Sequence, residues 1–167
     1  KSTNPVAICI YAFFQGISLG GFTYFIEKAI GMQGLGILAA ALTFVILAAM
    51  LTIYRAGLIS WNRNLAIAVY SSIGAILFIY VVSFIGIFLG FEIPLIHGNG
   101  SVGIVFSLFV IGIGALCLVA DFDFIEKGVE RGAPKQLEWR AAFGLMVTLI
   151  WLYIEILNLL AKLASRR

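Results

Sequence analysis

Five apolar runs, each close to the roughly 20 residues that cross a bilayer as a helix, divide the chain and leave few folds open to it. They are Pro5 to Ile26, Gly34 to Tyr54, Leu65 to Phe91, Ser101 to Ala120 and Ala141 to Ala161. Charges punctuate them: Glu27 and Lys28, then Arg55 and Arg63, then Glu92, then the mixed stretch Asp121 to Arg140. Of the 167 residues, 62% are hydrophobic and 11% charged. Mean hydropathy is +1.10, and a soluble domain this apolar would aggregate. An open sheet cannot satisfy its edges in lipid, and no run alternates as a barrel strand does. The expected fold is therefore all-α: a polytopic transmembrane bundle of five spanning helices, forming a single domain over residues 1–167.

The third run, Leu65 to Phe91, holds 27 uncharged residues, about 40 Å of helix. It is expected to tilt, or to break near Gly86 and Gly90. Glu126 to Arg140 reads as a loop broken at Gly132 to Pro134. The chain begins at Lys1, as expected of a processed or partial chain. Asn4 to Ile26 lacks a basic leader and a small-residue cleavage site, so it reads as a span and not a signal peptide. Basic residues suggest an orientation. Lys1, Arg55, Arg63, Lys127, Arg131, Lys135 and Arg140 share one side, expected to be cytoplasmic; Lys28, Lys162, Arg166 and Arg167 lie on the other.

The net charge of +3 is dispersed between the runs, so no basic patch suggests nucleic acid. Cys9 and Cys117 lie within apolar runs and read as packing residues, not a disulfide. His97 stands alone in a loop, and no Cys or His cluster has metal-site spacing. No cofactor is expected.

One group stands against this background. Glu155 is the only ionisable residue of the run Ala141 to Ala161, and a carboxylate there is costly enough to mark a functional site. The preceding run ends in Ala-Asp-Phe-Asp-Phe-Ile-Glu, Ala120 to Glu126. Small and polar residues recur at seven-residue spacing on both runs. Gly100, Gly103, Ser107, Gly114, Cys117 and Asp121 mark one face of the fourth; Ala141, Gly144, Thr148, Trp151, Glu155, Asn158 and Lys162 mark one face of the fifth. Small faces let helices approach closely in lipid, so Asp121 and Glu155 are expected to point into the bundle. Gly16 and Gly20 form a GxxxG on the first run. Gly16, Gly20, Gly114, Thr148 and Asn158 are the expected packing supports. Asp123 and Glu126 stand at the boundary, where acids are commonly solvated; Asp123 is kept as a further candidate beside the pathway. Lys162 is expected to snorkel to the interface.

Two carboxylates held close together titrate as a unit and can share one proton near neutral pH. A shared proton would latch two helices. Its loss leaves two anions that repel unless a cation enters, and hard cations such as Ca2+ favour carboxylate oxygens. Asp121 and Glu155 alone would hold Ca2+ weakly, which suits a pathway better than a store.

Asp-Phe-Asp-Phe-Ile-Glu (Asp121 to Glu126), Glu-Trp-Arg-Ala-Ala-Phe-Gly-Leu (Glu138 to Leu145) and Leu-Tyr-Ile-Glu-Ile-Leu-Asn-Leu-Leu (Leu152 to Leu160) together resemble the C-terminal hairpin of the Bax inhibitor family, its bacterial branch above all. Gln15 to Gly20 is similar to that family's glycine-containing third helix, and Ala39 to Thr43 to its fourth. The resemblance implies the last five helices of a seven-helix bundle with a central last helix, in a bacterial inner membrane. It also implies a pH-sensitive passive Ca2+ leak whose acidic latch maps to Asp121 and Glu155. Two departures are visible: Glu155 stands where the family commonly has Asp, and the segment between the acids is longer. The rival expectations are a non-conducting membrane scaffold and a proton-coupled transporter. An intramembrane aspartyl protease lacks its Gly-x-Gly-Asp motif here, and no enzymatic activity is expected.

Overall fold

A computed structural model describes residues 4–89 and 100–166. Among these residues, five helices long and apolar enough to span a membrane follow in order: α1 (Pro5–Ile30), α2 (Leu35–Arg55), α3 (Arg63–Leu89), α4 (Ser101–Glu130) and α5 (Gln136–Ala164). No strand occurs among the described residues. The all-α expectation holds, and the chain is an integral membrane protein.

Two boundaries depart from the sequence reading. The helices α4 and α5 run well past their apolar cores, so the expected loop Glu126 to Arg140 shrinks to residues 131–135. The reason is local. Glu, Lys, Gln and Arg are good helix formers, and propagation continues wherever the backbone can bond to itself. The stop is the Gly-Ala-Pro segment: Gly132 takes a left-handed φ of +60°, Ala133 N–H bonds back to Gly128 O (3.0 Å), and Pro134 ends the ladder. The third helix also runs unbroken through Gly86 to Leu89. Gly90, Phe91, Glu92 and His97 lie outside the described residues.

The first turn shows how a polar group is used near a helix end. Gly31 and Gly34 supply positive φ (75° and 91°) between α1 and α2. Glu27 Oε1 accepts from Gly34 N–H (3.1 Å) and Gly36 N–H (2.8 Å), satisfying free donors at the positive end of α2. Replacing Glu27 by Ala is expected to cost about 1 kcal/mol, as loss of a cap does, and thermal unfolding in detergent would register it.

The most extensive contact joins α4 to α5, and α2 packs on both. Their shared core includes Leu35, Ala39, Leu118, Phe122, Leu152, Ile156 and Leu157. A second cluster, Val69, Ile76, Val110 and Ile113, fixes α3 on the other flank of α4. The most buried span is α4, with 39% of its most apolar window covered against 22% for α5. The last helix nevertheless touches the first, second and fourth helices and is tied to the third through Tyr80. No residue of α1 is buried; it meets α5 through the Tyr11–Phe143 ring contact and a hydrogen bond shared by the Thr23 and Tyr153 hydroxyls (2.6 Å). Large apolar side chains such as Phe13, Phe44 and Phe78 point outward, while Thr43, Ser83, Ser107 and Glu155 are buried. That inversion suits a chain solvated by lipid, where packing and polar contacts hold helices together.

The glycines separate into two kinds. A Cβ on Gly114 would fall 2.8 Å from Leu152 Cδ2, so this glycine sets how closely α4 and α5 approach. Gly16 and Gly20 meet nothing within 4 Å. Among the described residues, no helix packs on the GxxxG face of α1.

Candidate functional site

Glu155 lies at the meeting of three helices and is 5% exposed. From α3, the Tyr80 hydroxyl donates to Oε1 (2.7 Å); from one turn earlier on α5, Trp151 Nε1 donates to the same oxygen (3.2 Å). Oε2 accepts from no described group, and Glu155 lines a cavity of about 540 Å3. The cavity is walled by Phe25, Ile26, Ala29 and Ile30 of α1, Tyr80 of α3, Phe106 and Ser107 of α4, and Asn158, Lys162 and Ser165 at the end of α5. The expectation that Glu155 points inward holds; Asn158 serves as cavity lining beside it.

Lys162 reaches across to the first turns of α4, where Nζ donates to Gly103 O (3.2 Å) and Ser107 Oγ (2.9 Å). It forms no ion pair with Glu155.

Asp121 sits elsewhere along the same seam. Its Oδ1 is 3.5 Å from where a Cβ on Gly144 would be, and Oδ2 is buried without a hydrogen-bond partner. The Thr148 hydroxyl, which donates to Gly144 O (3.2 Å), stands beside it. Asp121 is nine residues from the end of α4, whereas Glu155 is nineteen from the start of α5. In an antiparallel hairpin that difference of ten residues is about 15 Å along the axis. The direct latch, one proton shared between Asp121 and Glu155, is therefore corrected: a hydrogen bond spans about 3 Å. The cause is where the turn falls: Ala133 is twelve residues from Asp121 and twenty-two from Glu155, so the two carboxylates stand at different levels.

Beyond Asp121, toward the α4–α5 turn, lies a third group. Asp123 pairs with Lys127 (2.6 Å) one turn on, and the Tyr54 hydroxyl of α2 donates to the Glu126 carboxylate. These residues border an open cleft of about 1080 Å3 that Arg55, Trp61 and Glu130 also line. Asp123 is thus tied by a partner on its own helix and points into this cleft, not toward Glu155. Among the described residues no group of three or more His, Cys, Asp or Glu could hold a metal ion, and Cys9 and Cys117 are both free.

Tyr80 was not singled out in the sequence. A tyrosine in mid-span is the available signal, since a buried hydroxyl needs a partner and lipid offers none. Which helix supplies that partner is a matter of packing, and α3 carries no periodic mark to indicate it.

No curated protein and no solved structure matches the chain. The sequence model of the Bax inhibitor 1 like family matches residues 1–165, nearly the whole chain, and the hairpin motifs fall inside that match. The chain belongs to the Bax inhibitor 1 like family.

Proposed function

We propose that this protein is a passive, pH-sensitive leak for Ca2+, in which Asp121 and Glu155 are two separate protonatable stations along the α4–α5 seam. Ca2+ is cargo and protons are the control; no catalytic step and no cofactor are involved. The observation that supports it most is Glu155 itself: a buried carboxylate that lines a cavity, with one oxygen fixed by Tyr80 and Trp151 and no described donor on the other. Two fixed donors hold the carboxylate in place, and the other oxygen can meet a cation that has shed part of its water. Protonation removes the charge and with it the attraction. Flux is therefore expected to fall at acid pH and to rise as these groups ionise. The unpartnered Oδ2 of Asp121 offers a second stop at a different level. Two weak stops in series pass an ion more readily than one tight site would hold it. Following the resemblance, we place the protein in the inner membrane of a bacterial cell.

The test compares Asp121→Asn and Glu155→Gln for Ca2+ uptake into proteoliposomes and for thermal stability. The leak reading expects lower uptake in each, with melting temperature little changed. Altered stability with unchanged uptake would instead fit a non-conducting scaffold. Uptake that needs a second solute gradient would fit a proton-coupled transporter.

A further inference from the structure

Among the described residues, the cavity beside Glu155 is lined by two charged groups of opposite sign, Glu155 and Lys162. The walls from α1, α3 and α4 supply apolar and aromatic side chains, with the Ser107 hydroxyl. Lys162 is two turns beyond Glu155 on α5, about 10 Å along the axis. Its ammonium does not neutralise the carboxylate by contact. It is held back by two acceptors on α4, the Gly103 carbonyl and the Ser107 hydroxyl, which leaves the second oxygen of Glu155 without a described donor. An ammonium fixed at that range inside a poorly screened cavity repels any cation that reaches Glu155, and a divalent one twice as strongly as a monovalent one.

We propose that Lys162 is a built-in counter-cation that keeps the affinity of the Glu155 cavity for divalent cations low. The inference deepens the leak reading and rests on it for its function. A carboxylate cavity without Lys162 would retain a divalent ion; with it, the ion is admitted and released. Two bonds to α4 hold the ammonium at that end of the cavity, and either one keeps the charge there.

The chain carries its own probe. Trp151 donates to Glu155, so a Tb3+ ion standing in for Ca2+ at that carboxylate lies close enough to an indole to be sensitised. We would titrate Tb3+ into the purified protein in detergent, exciting tryptophan, and measure Ca2+ uptake in parallel. Glu155→Gln is expected to remove this emission component. Lys162→Gln is expected to lower the half-saturating Tb3+ concentration about tenfold or more, and Lys162→Arg, which keeps the charge, to return it toward the wild-type value. Ser107→Ala, which removes one anchor but not the charge, should not reproduce the tightening. An unchanged Tb3+ affinity in Lys162→Gln overturns the proposal, as does equal tightening by Ser107→Ala or emission that survives Glu155→Gln. Should Lys162→Gln not fold, Lys162→Met carries the same expectation. Tightening of Tb3+ binding without Ca2+ uptake by any form would uphold the role of Lys162 at the cavity and remove the leak reading.

Discussion

Replacing Glu155 by Gln is expected to cut Ca2+ uptake at neutral pH at least tenfold while leaving the bundle folded. Gln matches Glu in size, and its carbonyl oxygen can still accept from Tyr80 and Trp151, so both buried donors keep a partner. What is lost is the one negative charge that draws a cation into the cavity, where Lys162 repels it. A factor of ten corresponds to about 1.4 kcal/mol, less than removal of one close opposite charge from a poorly solvated site. Glu155→Leu should behave differently. It leaves the Tyr80 hydroxyl and the Trp151 N–H unpaired, at about 1–3 kcal/mol for each buried group, and so lowers stability along with uptake. The contrast between Gln and Leu separates the carboxylate's charge from its part in joining α3 to α5.

The second large effect concerns the α4–α5 seam. Gly114→Val should lower thermal stability in detergent by roughly 5–10 °C, since overpacking typically costs about 1–3 kcal/mol or more. A Cβ at this position already falls 2.8 Å from Leu152 Cδ2 and 3.2 Å from Leu152 Cγ. Leu152 is fully buried, so its side chain can give way only by displacing its neighbours. The helices must then separate, moving Trp151 and Glu155 relative to Tyr80, so cation uptake should weaken with stability. Gly112→Ala, two residues earlier with open space around it, is the matched control and should be tolerated. Equal melting temperatures for Gly114→Val and wild type would show that the seam is not as tight as described.

Hydropathy alone was enough for the five spans, because each is set by the length of an uninterrupted apolar run. The inward faces of α4 and α5 were readable too: seven-residue spacing places Ser107 and Gly114 on one helix and Thr148 and Glu155 on the other, and all four meet the seam. Helix ends were not, since hydropathy marks where lipid stops and not where the backbone ladder stops. The offset of the two acids was legible all the same: Asp121 stands five residues before Glu126 and Glu155 fifteen after Arg140, the same difference of ten residues that the helices give, about 15 Å along the axis. Lys162 illustrates a second limit. Near a helix end a lysine takes the acceptors within its reach, and those it finds, Gly103 O and Ser107 Oγ, lie more than fifty residues away in sequence. The GxxxG of Gly16 and Gly20 shows the converse: the pattern is present, but whether a helix faces it depends on partners a local motif does not specify.

The most direct test is Ca2+ uptake into proteoliposomes, driven by a Ca2+ gradient alone, followed from acid to alkaline pH for the wild type and Glu155→Gln. A titrating station in a passive path predicts wild-type uptake that climbs as pH rises, against low and nearly flat uptake in the variant. Uptake by Glu155→Gln that matches the wild type in size and climbs over the same pH range would contradict the assignment of Glu155 to the cation path.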